Sequence, residues 1–207
     1  MRWLMMLVLM TGMARAEGES AGDFDYYVVA LSWSPTWCAL EGDRRNSPQC
    51  DKPYGWVLHG LWPQYEQGWP SYCPTTARNP PRSETSDQSS LFGSSGNAWH
   101  QWNKHGRCTG LTATEYYTLA QTAFDTVAKP GVLRQLDDPI RLPASVIEDA
   151  FLDVNETLDP DQITVTCKAN RIAEARLCMT QDLQLRRCGA DVILDCTGTA
   201  LLDPVRD

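Results

Sequence analysis

The sequence predicts an α+β fold: a single domain on a mostly antiparallel central sheet, with helices packed to one side and disulfides stapling the loops. Three observations carry this. Strand-like segments gather towards the two ends of the chain, with helical patterns between them. The length of 207 residues suits one domain, or two small ones at most. Eight cysteines, all beyond residue 16, form an even set behind an export-like N-terminus.

Residues 1–16, MRWLMMLVLMTGMARA, place Arg2 before a short apolar run and end on an A-x-A pattern. They read as a signal peptide, too short for a mature membrane span, so a single mature domain is expected over 17–207. No later stretch is apolar for long enough to cross a bilayer, so no membrane association is expected after signal removal. Residues 24–33, FDYYVVALSW, read as a largely buried strand ended by Pro35. Residues 38–53 hold two cysteines and two prolines and read as a stapled loop. Residues 54–62, YGWVLHGLW, read as a second strand with His59 at its end and a turn at Gly60. Residues 74–97, rich in Pro, Ser, Thr, Asn and Gly, read as a long surface connection.

Thr112 and Glu115 make a capping-box pattern that opens a helix over 112–129, stopped by Pro130 and Gly131. Its apolar stripe is Tyr116, Leu119, Ala120, Ala123, Phe124 and Val127. A second helix fits 143–155, with Pro143 in the first turn. Three strands fit the C-terminal part: ITVTCK, RIAEARLCMT and LQLRRC. In the second of these, Ile172, Ala173 and Ala175 do not fix which face is buried.

A formal charge of −8 excludes bulk electrostatic binding of nucleic acid. A polyanion would have to be held at a local basic site. The absence of any C-x-x-C pair argues against zinc fingers. The oligomeric state is not legible, and a monomer is the default.

The only three histidines lie in two aromatic-rich segments, HGLWPQ and WHQWNKHGRC. Taken as a helix, residues 98–108 place His100, Gln101, Lys104 and His105 within an arc of about 140°, with Trp99 and Trp102 opposite as apolar anchors. An ordinary amphipathic helix would share this pattern. The clustering with His59 points to chemistry. A zinc pair on a helix needs His-x-x-x-His, whereas the spacing here is i, i+5, and Lys104 would repel a cation. Two imidazoles as base and acid, with a lysine and an amide to hold a phosphoryl group, form a coherent set. Cys73 follows the first segment and Cys108 ends the second, so a disulfide between them would tie the two together.

These two segments, with DYYVVALSWSPTWC near the start, resemble the ribonuclease T2 family of secreted or periplasmic acid ribonucleases. The resemblance implies metal-independent and cofactor-free cleavage of single-stranded RNA through a 2′,3′-cyclic phosphate to 3′-phosphates, with low base specificity. It implies that His59 is the acid for the 5′-oxygen, His105 the base for the ribose 2′-hydroxyl, His100 a phosphate ligand and Lys104 the stabiliser of the phosphorane. Trp62 corresponds to an aromatic of the base pocket, and Trp69 is a second candidate or a structural residue. The implied disulfides are Cys73–Cys108, Cys167–Cys196 and Cys178–Cys188, leaving Cys38 with Cys50. DNA lacks the 2′-hydroxyl and is not expected to react or to be held stably.

Two positions depart from the family pattern. Gln101 stands where the family has Glu; its amide keeps a donor for a phosphoryl oxygen but cannot carry a proton. An active enzyme is expected, with Gln101→Glu changing the rate by less than about tenfold. The alternative is a weakened or inactive relative that binds RNA without cutting it. Gln64 stands where some relatives carry an acid, which leaves base preference open.

Overall fold

Six strands make one sheet in the computed structural model, which describes residues 19–206. The predicted signal peptide and the start of the mature chain at residue 17 lie outside the described residues. The strands are β1 (Tyr26–Trp33), β2 (Trp56–Gln64), β3 (Ile140–Pro143), β4 (Ile163–Lys168), β5 (Arg171–Met179) and β6 (Thr199–Leu202). β1 lies between β2 and β5, and β4 pairs with β5. β3 pairs with β6. These ladders are antiparallel; a single parallel pairing of Arg171 with Leu201 joins β5 to β6.

β1 is buried on both faces because its residues are apolar at odd and even positions alike. Tyr27, Val29, Leu31 and Trp33 enter the main core, and Tyr26, Val28 and Ala30 enter a smaller one with Cys178, Cys188 and Val192. The strand ends where Pro35 enters the first turn of a short helix, α1 (Ser34–Trp37). The main core lies between the sheet and the longer helices α4 (Ser95–Lys104), α5 (Ala113–Thr126) and α6 (Ala144–Val154). The Thr112–Glu115 capping box forms as predicted, and α5 buries Tyr116, Tyr117, Ala120 and Ala123. Leu119 and Phe124 are only half-buried. Pro143 precedes the first turn of α6 as the last residue of β3.

Several expectations need correction. Residues 74–97 are not a plain connection: α2 (Arg82–Asp87) and α3 (Ser89–Phe92) form there, because Leu91 and Phe92 are buried. The stapled loop over 38–53 is made of short helical turns. LQLRRC is not a strand. Leu183 has a left-handed φ of 58°, and only Leu185 bridges back, to Met179. β3 and β6, four residues each, were not predicted, since so short a run shows no readable period.

The mixed pattern of β5 has a physical cause. Its register with β4 shifts between Thr166 and Cys167, so Ala173 is an extra residue. Ile172, Ala175, Leu177 and Met179 then all reach the main core, and Glu174, Arg176 and Cys178 face the other way. The disulfides are Cys73–Cys108, Cys167–Cys196 and Cys178–Cys188, the pairs that the resemblance implies, and Cys38–Cys50, the pair left over. Among the described residues no cysteine is free, and no helix is long and apolar enough to cross a membrane.

Candidate active site

His59 does not end its strand. It lies inside β2 at a bulge: Ala30 of β1 pairs with Gly60 and Leu31 with Leu58, leaving His59 as the extra residue. In a regular strand, positions three apart point to opposite faces. The bulge cancels one step, so His59 and Trp62 share a face while Leu58 and Leu61 both enter the core. Gly60 makes no turn. A Cβ there would stand 2.2 Å from both the Gln101 Oε1 and the Trp62 Nε1, so only glycine admits this close approach.

The second segment ends its helix earlier than predicted. α4 stops at Lys104, His105 is its C-cap, and a tighter turn runs over Gly106–Thr109. A Cβ on Gly106 would meet the Trp102 ring at 2.6 Å and the Tyr116 ring at 2.9 Å, which fixes where the chain can turn away. The buried face is centred on Ala98, Gln101, Trp102 and His105 rather than on the two tryptophans. Trp99 falls outside that arc and is 44% exposed, a correction to its predicted role as an anchor. His100 and Lys104 lie at the wet edge of the same face.

A directional chain of amides joins the two segments. Asn97 Nδ2 donates to the carbonyls of Phe92 (3.0 Å) and His59 (3.3 Å). Its Oδ1 therefore accepts from Gln101 Nε2 at 3.2 Å, and Gln101 Oε1 accepts from Trp62 Nε1 at 2.8 Å. Both ends of the buried Gln101 amide are thus engaged within the protein. The Trp62 indole stacks on His105 (centroids 5.4 Å apart, planes 28° apart) and meets His59 edge-on at 5.2 Å. The guanidinium of Arg176 lies 5.4 Å from the indole centroid.

Two residues absent from the sequence reading complete the wall. Glu174 Oε1 stands 2.5 Å from His59 Nδ1, and Glu174 Oε2 accepts from Arg176 Nε (2.9 Å) and Nη2 (2.7 Å). The signal that could have found them is a pair of opposite charges two apart, set among apolar residues in a strand. Burial alone would raise the Glu174 carboxyl, but the His59 bond and Arg176 outweigh it and hold it at about 2. Burial, then the charges of Lys104, His59 and His100, push the His105 ring down to about 3. Burial, then Lys104 and His59, also lower His100. His105 is only 5% exposed, and its Nδ1 is buried with no hydrogen-bond partner among the described residues.

All five catalytic candidates and all three base-pocket candidates line one cleft of about 250 Å³. His105 reaches it despite its burial. Gln64 lines it with a carboxamide that makes no hydrogen bond among the described residues, and Trp69 is 52% exposed. A wider cleft of about 1180 Å³ lies beyond, and His59, His100 and Arg176 line both. The Cys73–Cys108 bridge and a bond from Tyr72 N to the Lys104 carbonyl (2.8 Å) tie the Trp69 loop to the end of α4. Among the described residues no three His, Cys, Asp or Glu side chains are grouped to hold a metal ion. The arrangement offers a neutral imidazole, a second imidazole backed by a carboxylate, and an ammonium around one small cleft.

Comparison with known proteins is consistent with this geometry. The family model described as Ribonuclease T2 family matches residues 24–188. A ribonuclease of Aeromonas hydrophila is 44% identical over 119 residues, 58% of this chain and 53% of that protein. A probable ribonuclease of Haemophilus influenzae is 28% identical over 121 residues, 52% of this chain and 44% of that one. The chain thus spans about half the length of the curated relatives it matches. The solved structure of an RNase-related protein from Calystegia sepium superposes with a TM-score of 0.68 over 89% of this chain and 99% of its own. At 21% identity, that likeness speaks for the fold alone.

Proposed function

Because the chain belongs to the ribonuclease T2 family, we propose that it is an endoribonuclease that cleaves single-stranded RNA by transphosphorylation, with His59 and His105 as its acid–base pair. The observation that carries this reading is that both imidazoles line one cleft, on either side of Trp62. His105, kept neutral by burial, takes the proton of the ribose 2′-hydroxyl. The 2′-oxygen bonds to phosphorus, the bond from phosphorus to the 5′-oxygen breaks, and protonated His59 delivers its proton to that leaving oxygen. Lys104 and His100 face the charge that builds on the phosphoryl oxygens. In the second stage water replaces the departed nucleoside and the proton roles reverse, giving a 3′-phosphate.

Gln101 serves by holding the Trp62 indole between the two histidines, accepting from Trp62 Nε1 while donating one of its two N–H groups to Asn97. The base enters over Trp69, whose exposed ring offers a stacking face, while the unbonded Gln64 carboxamide presents a donor and an acceptor to the base edge. The wider cleft receives the continuing strand. Four disulfides support an oxidising destination, secreted or periplasmic.

The test is RNA cleavage in EDTA by the wild type beside His59→Ala and His105→Ala. The reading expects 2′,3′-cyclic phosphate ends from the wild type and losses of at least about a hundredfold in each variant. Tight RNA binding without new ends would instead support the binding-only alternative.

A further inference from the structure

We propose that Glu174 is a positioning residue for His59: its carboxylate fixes the imidazole with Nδ1–H turned inward and Nε2 turned to the cleft, and Arg176 fixes the carboxylate. This rests on the reading of His59 as the proton donor and deepens it.

Glu174 and His59 lie on strands that are not neighbours. β1 runs between β2 and β5, so the two backbones stand roughly 10 Å apart. The side chains meet over β1 because its residues on that face, Ala30 and Ser32, are small; Ser32 pairs with Glu174 and Ala30 with Arg176. Both reaching residues follow or occupy a bulge, Glu174 after Ala173 and His59 within β2, and each bulge turns its side chain to this face. Glu174 pairs with Ser32 on one edge and Thr166 on the other, so its backbone is held from both sides.

Each carboxylate oxygen has one partner: Oε1 faces His59 Nδ1, and Oε2 takes both Arg176 bonds. A carboxylate accepts and cannot donate, so the ring nitrogen facing it carries the hydrogen. That leaves Nε2 to gain and lose the proton in turnover, while Nδ1–H stays bonded throughout. Other charged groups act on this ring. Arg176 stands beside Glu174 on β5, and His100, Lys104 and His105 approach from α4 and its C-cap. Glu41, Arg45 and Lys168 line the wider cleft but are paired with one another.

The test uses the disulfide-bonded mature protein. With only three histidines in the chain, ring nitrogens can be followed by NMR across pH. Glu174→Gln keeps the shape and an acceptor but removes the charge. A carboxamide there can accept from Nδ1–H or donate to Nδ1, so the variant no longer selects one tautomer. We expect the ring-nitrogen shifts of wild-type His59 to show the hydrogen on Nδ1, and those of Glu174→Gln to show a mixture of the two tautomers. We expect kcat to fall about tenfold, with KM changed less than about twofold. Glu174→Asp should restore part of the Nδ1–H preference. Arg176→Gln, a second variant should the first fold poorly, is expected to weaken the same preference by freeing the carboxylate. If the wild type cleaves RNA but neither Glu174→Gln nor Arg176→Gln changes the His59 tautomer, the role of Glu174 alone is overturned. No cleavage by the wild type would overturn the function and this role together.

Discussion

At Gln101 a single atom exchange decides whether a network closes. Asn97 is oriented by two backbone carbonyls, so its oxygen faces position 101 and requires a donor there. A carboxylate in Gln101→Glu would still accept from Trp62 but would set oxygen against oxygen at Asn97, costing about 1–3 kcal/mol. Burial would raise the new carboxyl, and once protonated it could donate to Asn97 again. The lost stability should therefore be present at neutral pH and recover as pH falls through the raised value, read by thermal midpoint. Gly60→Ala has no such remedy. Its Cβ would strike the Trp62–Gln101 bond, and we expect lower activity with a folded but less stable protein. His105 sets a linkage of its own. Its folded value of about 3 lies below the ordinary 6.5, so stability present above pH 6.5 is lost as pH falls towards 3, because the unfolded ring takes up the proton first. His105→Gln should flatten that fall in urea titrations across pH.

At the scale of elements, the site is made by irregularities. The bulges in β2 and β5 bring His59 and Glu174 onto one face, and the end of α4 at Lys104 turns His105 into the cleft. Sequence patterns read regular periods well. The α5 capping box and the unbroken apolar run of β1 were legible as well, because each is a contiguous local pattern. They read a bulge only as noise, as at Ile172, Ala173 and Ala175. The Trp69 loop is the other irregular element. If it receives the base, Trp69→Ala should raise KM about five-fold or more while kcat changes little, measured on a dinucleotide substrate.

For the whole molecule, the acidic chain brings two cations to the cleft, Lys104 and the Glu174-paired Arg176. The Cys73–Cys108 bridge closes a loop of 35 residues that joins the Trp69 loop to the end of α4. Replacing both cysteines by serine should cost about 2–4 kcal/mol in stability and raise KM, as seen by denaturant titration and steady-state kinetics.

The sequence by itself determined the fold class and the two histidine segments that come together at one cleft, because residue type, helical period and the resemblance of short motifs are local properties. Only the tertiary structure decided that Glu174 meets His59, that Gln101 is locked between Asn97 and Trp62, and that Trp99 faces water while His105 is buried. Those contacts join positions up to 115 residues apart. They depend on strand register and on which step of a strand is bulged, and a one-residue change in either sends the same side chain to the opposite face.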